Sequence, residues 1–161
     1  MKTEDSSFIV DFQSSDNMSF PVKALLVNKA IKIAYVNASQ TYNYTFGITL
    51  RLVDSEEGRF INKQFKKINQ PTNVLAFSGD LEKERALGIT PPFLGDIIVC
   101  LPVVEKEAKA LHKGVSSHFL HMVIHGFLHL LGYDHHTDKE EKQMIQLEKL
   151  VLTELGMENG A

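Results

Sequence analysis

The chain has 161 residues, 43% of them hydrophobic and 23% charged, with a net charge of −3. That length suits a single domain over residues 1–161. The composition is that of an ordinary soluble globular protein, with no apolar run long enough to span a membrane and no overall basic charge for nucleic acid, so any anionic substrate must meet a local patch. The acidic N-terminus MKTEDSSFIVDF lacks a secretory h-region, and the one cysteine, Cys100, permits no internal disulfide, so a reducing cytoplasm is the expected compartment.

In chain order, Phe8 to Phe12 alternates and reads as a strand. Pro21 suits a first helical turn, and Val22, Leu25, Leu26, Ala30, Ile33 and Ala34 then line one helical face. Gly47 to Val53 is β-branched and alternating, a second strand. Asp54 with Glu57 forms a capping pair, and Ile61, Phe65 and Ile68 are the expected inward stripe of the helix it opens, which Pro71 should end. Thr72 to Phe77 is a third strand, and residues 78–93 read as a long connection with two Gly and two Pro. Ile97 to Leu101 has the look of a buried strand. Pro102 opens a helix with Val104, Ala108 and Leu111 inward, closed by Gly114.

The next helix, capped by Ser116 or Ser117 and running to Leu131, is apolar almost all round, so it should be buried. Thr137 with Glu140 caps a last helix with Met144, Leu147, Val151 and Leu155 inward. Strands followed by helices give an α+β class, a small mixed sheet of about four strands covered by helices.

The buried helix carries His125 and His129, four residues apart and therefore on one face about one turn apart. Gly132 tolerates positive φ, so the chain can fold back and bring His135 to the same point, in the spacing H-x-x-x-H-x-x-G-x-x-H. Three neutral imidazoles suit one zinc ion and leave a fourth position open, the arrangement of a catalytic rather than a structural site. Zinc there lowers the pKa of a bound water to about 7.

His121 reads as a neighbour supporting the ligands or as helix packing. His136 should be exposed, and His112 and His118 should face solvent. Asp134 and Asp138 have two readings: orienting a ligand imidazole, or placing negative charge at the last helix's N-terminus. Zinc peptidases of the H-E-x-x-H type carry a general-base Glu after the first His. Gly126 stands there, which argues against a conventional metallopeptidase.

The segment HMVIHGFLHLLGYDHHTD resembles the signature of the YbeY family of bacterial rRNA maturation factors, which are endoribonucleases. INKQFKKINQPTNVLAF and FLGDIIVCLPVVEKEA resemble two further family blocks, and the likeness covers about two-thirds of the chain. The resemblance implies a compact α+β fold with a zinc-type site at His125, His129 and His135. It also implies a single-strand-specific, metal-dependent endoribonuclease acting in maturation of the 16S rRNA 3′ end and in ribosome quality control, with rRNA and ribosomal particles as partners. The family's cleft arginine aligns with Lys66, which keeps the charge but not the planar fork that grips a phosphate. Lys66 is therefore the expected catalytic residue steadying phosphate charge. Lys63 and Lys67 read as a solvated face of the same helix. Two other classes stand beside this one: a metallopeptidase-like zinc hydrolase, and a non-catalytic ribosome assembly factor whose metal is structural.

Overall fold

The computed structural model describes residues 2–4, 7–134 and 136–157, the first three by their backbone. Among the described residues, five strands form one sheet: β1 (Lys2–Glu4), β2 (Phe8–Ser14), β3 (Phe46–Val53), β4 (Val74–Ser78) and β5 (Phe93–Cys100), in the order β1-β2-β3-β5-β4. Strands β2, β3 and β5 run parallel, while β1 and β4 pair antiparallel at the two edges. The expected four-stranded mixed sheet is β2-β3-β5-β4, and β1 extends it by one short edge strand. Six helices among the described residues accompany it: α1 (Ala24–Val36), α2 (Ser55–Lys66), α3 (Leu81–Ala86), α4 (Leu101–Ala110), α5 (Val115–Leu130) and α6 (Asp138–Glu154).

Alternation decides which sheet face is buried. Phe8, Val10 and Phe12 point inward with Phe46, Ile48, Leu50 and Leu52 and with Ile97 and Val99. Helix α5 lies against this face, flanked by α1, α4 and α6, and one hydrophobic cluster joins them to the sheet. Gly126 sets how closely α5 approaches. A Cβ there would stand 2.8 Å from Cγ2 of Ile97 and 3.2 Å from Cγ2 of Val74. Among the described residues no helix is long and apolar enough to cross a membrane.

Several expected faces are corrected. Helix α1 starts at Ala24, so its buried stripe is Val27, Ala30, Ile31, Ala34 and Tyr35, and Leu25 is 77% exposed. Helix α2 turns Gly58 and Asn62 inward, because Gly58 lets it settle on Cys100 and Val53; Phe65 and Ile68 face outward instead. Its stop is Lys67, in the left-handed conformation at φ 61°, and not Pro71. The expected connection over 78–93 contains α3, capped where Asp80 accepts from the Lys83 amide at 3.1 Å, and β5 begins at Phe93, four residues before the expected Ile97. Leu111 caps α4 and is exposed.

Candidate active site

The end of α5 is a complete Schellman motif. The Tyr133 amide donates to the Leu128 carbonyl and the Gly132 amide to that of His129, both at 3.0 Å, with Gly132 at φ +102°. The helix therefore stops at Leu130, one residue after His129, as the sequence requires for a third ligand to return. The Tyr133 hydroxyl accepts from the Ser39 amide at 2.9 Å and ties this turn to the segment after α1. His135 itself lies outside the described residues. Among the described residues, no group of three or more His, Cys, Asp and Glu is arranged to hold a metal.

His125 and His129 do converge. Their Nε2 atoms are 3.1 Å apart, and the rings meet edge to face with centroids 4.6 Å apart. Glu148 of α6 explains the orientation. Its Oε2 accepts from Nδ1 of His125 at 2.6 Å, and its Oε1 accepts from Nε2 of His121 at 2.7 Å. A proton donated from Nδ1 to Glu148 leaves Nε2 of His125 turned toward His129. Two imidazole nitrogens this close need a proton or a cation between them. Two ligands of a tetrahedral zinc at about 2.0–2.1 Å would stand about 3.3–3.4 Å apart, so the pair is spaced for such an ion. The donor set fits zinc: neutral imidazole, with a buried carboxylate behind one ring.

Glu148 is the residue that sequence reasoning missed. It is 6% exposed. Burial pushes its pKa up, but the hydrogen bonds from His121 and His125 prevail and hold it at about 2. Its signal was there: a carboxylate on the inward face of α6, between the buried Met144 and Val151. Asp134, one of the two expected orienting carboxylates, pairs with exposed His136 at 2.8 Å. Asp138 stands in the first turn of α6, beside Glu140 and Glu141, as N-terminal charge.

His118, expected to face solvent, is 4% exposed. Its Nε2 donates to Glu107 at 2.9 Å, and Glu107 in turn accepts from Asn73 Nδ2 at 3.1 Å. The reason is the helix phase: with α5 lying on the sheet between α4 and α6, position 118 faces α4. Burial is the larger influence on this imidazole and lowers its pKa. His112, by contrast, is exposed after α4, as expected.

Lys66 does reach the site. It ends α2 and lines a cleft of about 360 Å³ with Asn73, Val74 and Ala76 of the β4 segment and with His125 and His129. Asn62, buried in α2, donates from Nδ2 to the Gln70 carbonyl at 2.7 Å and so fixes the loop between α2 and β4 that brings these walls together. One basic side chain thus faces two imidazoles across a small cleft. Such a cleft can bind an anionic group and hold a cation beside it. Gly126 also lines it, and the 2.8 Å approach to Ile97 leaves no room there for the side chain of a peptidase general base.

Comparison with known proteins agrees with this architecture. The family model for endoribonuclease YbeY matches residues 10–156. An endoribonuclease YbeY from Stutzerimonas stutzeri (strain A1501) is 48% identical over 109 residues, covering 68% of this chain and 66% of the relative. One from Stenotrophomonas maltophilia (strain R551-3) is 42% identical over 110 residues, covering 68% of each. The solution structure of TM1509 from Thermotoga maritima superposes with a TM-score of 0.59 over 91% of both chains at 24% identity, a likeness of fold.

Proposed function

The chain belongs to the endoribonuclease YbeY family, and from that premise we propose that it is a single-strand-specific, metal-dependent endoribonuclease that matures the 3′ end of 16S rRNA and serves ribosome quality control, acting on rRNA and ribosomal particles. The observation that carries this reading is the convergence of His125 and His129 at 3.1 Å in the same cleft as Lys66.

His125 and His129 would hold a zinc ion, with His135 as the third ligand expected from the sequence. When bound, zinc supplies Lewis acidity toward a phosphoryl oxygen and the means to generate a nucleophile near neutral pH. The protein's own residues do the rest. Glu148 keeps the His125 proton on Nδ1 and its ring aimed into the cleft. Lys66 places a positive charge where the phosphodiester gathers negative charge. Lysine is a point charge, so it binds a phosphate without imposing the orientation that an arginine fork would. Val74 and Ala76 give the cleft an apolar wall beside these charges.

A peptidase reading is disfavoured by the packing at Gly126. The test is incubation with precursor 16S rRNA and with immature ribosomal particles, with and without zinc and chelator, beside a panel of peptides. Metal-dependent trimming of the rRNA end is the expected result. Activity and metal content both unchanged in His125→Ala would refute the mechanism. Unfolding on chelation with no cleavage at any enzyme level would instead identify an assembly factor with a structural metal.

A further inference from the structure

Phe65 is a large apolar side chain left 67% exposed on α2. It is not stray surface. Its ring packs on that of Phe77, half-buried in β4, with centroids 5.1 Å apart and planes tilted by 56°. The next residue, Lys66, holds its Nζ 5.8 Å from the Phe77 centroid and lines the histidine cleft. One phenylalanine is therefore supported from behind, open in front, and next to the cation at the cleft mouth. The Asn62 bond to the Gln70 carbonyl and the left-handed stop at Lys67 hold the end of α2 in place, so the ring is presented by a fixed backbone.

We propose that Phe65, backed by Phe77 and flanked by Lys66, is a stacking platform for a nucleobase of single-stranded RNA whose phosphate enters the His125–His129 cleft. The proposal rests on the ribonuclease reading of that cleft and names the subsite beside it. Sequence-tolerant recognition of single strands combines aromatic faces for the bases with positive charge along the backbone, and both are adjacent here. A base in a duplex is already stacked and cannot use an isolated ring, so this subsite favours unpaired RNA.

A second exposed phenylalanine on α2 gives the contrast. Phe60 lines a separate cavity of about 470 Å³ with Asp54, Glu56, Glu57, Arg59 and Lys63. That cavity shares no lining residue with the histidine cleft, so Phe60 is the internal control.

The experiment measures cleavage of single-stranded oligoribonucleotides by the zinc-loaded full chain. If wild type cuts none, the ribonuclease reading itself has failed, and the subsite is then judged by binding alone. If it cuts, Phe65→Ala should raise KM roughly ten- to a hundredfold with kcat nearly unchanged, the loss expected for one stacked base. Phe65→Leu, apolar but not aromatic, should resemble Phe65→Ala, while Phe65→Tyr and Phe60→Ala should behave as wild type. An unchanged KM in Phe65→Ala, or full rescue by Phe65→Leu, overturns the proposal. The chain contains no tryptophan, so Phe65→Trp supplies a single indole, excited selectively over the four tyrosines. Its emission should be quenched by a single-stranded oligoribonucleotide and much less by one abasic throughout. Equal quenching by both, or a change with protein concentration alone as in self-association, overturns it as well.

Discussion

The Glu148 carboxylate lies 2.6 Å from Nδ1 of His125, so a residue 23 positions away in the chain decides which nitrogen of the helical histidine faces the cleft. Removing the charge while keeping the shape should therefore loosen the metal more than the fold. Glu148→Gln is expected to lose roughly ten- to a hundredfold in zinc affinity, read by competition with a chromophoric chelator. Its circular dichroism spectrum should stay native.

The same carboxylate gives a pH signature. Its folded pKa of about 2 is below the ordinary carboxylate value of 4.5. A depressed carboxyl stabilises the fold above its unfolded pKa, and that contribution is lost as pH falls through the folded value. The stability gap between wild type and Glu148→Gln, from urea titrations, should be full above about pH 4.5 and shrink toward pH 2.

His118 gives a slope of the same sign in a higher pH window. Burial lowers its pKa, so the unfolded chain takes up a proton more readily than the folded one. Stability is then highest above the unfolded value of 6.5 and declines as pH drops below it. His118→Gln should flatten that decline between pH 7.5 and pH 5.5. An identical slope in the variant would show that the buried imidazole is not its source.

At Gly126 two effects oppose each other. Alanine would favour the helix by about 1 kcal/mol, but its Cβ would press on Ile97 at 2.8 Å and Val74 at 3.2 Å. Both neighbours are β-branched and stiff at χ1, and overpacking of this kind costs about 1–3 kcal/mol. Gly126→Ala should be destabilised by about 1 kcal/mol in chemical denaturation, and Gly126→Glu by considerably more, with no peptidase activity gained.

Lys66 is tested by salt. If it meets one phosphate, Lys66→Ala should lower the slope of log K against log salt for single-stranded RNA by about 0.7. Lys66→Arg should keep that slope and bind at least as well, since the guanidinium adds a second hydrogen bond.

Much of the fold was legible because it depends on local rules. Alternation located β2 and β3, Asp54 and Thr137 announced α2 and α6 as caps, each accepting from the amide three residues on, and the all-round apolar character of α5 foretold its burial. Where two faces compete, the local pattern failed. The apolar stripe of α2 pointed to Phe65, yet Gly58 and Asn62 face the sheet, because close approach to Cys100 needs a small residue and the Gln70 carbonyl needs a donor. The long segment over 78–93 hid a helix of six residues, too short for a periodic signal.

By itself the sequence determined the spacing of His125 and His129, the glycine that ends their helix, and the family to which the chain belongs, because i to i+4 geometry and positive φ are properties of the local chain. Only the tertiary structure decided that Glu148 reaches across from α6 to orient His125, that His118 is buried against Glu107, that Lys66 lines the cleft, and that Phe65 packs on Phe77. Those relationships join side chains far apart in sequence, and only the packing of α2, α4 and α6 around α5 and β4 brings them together.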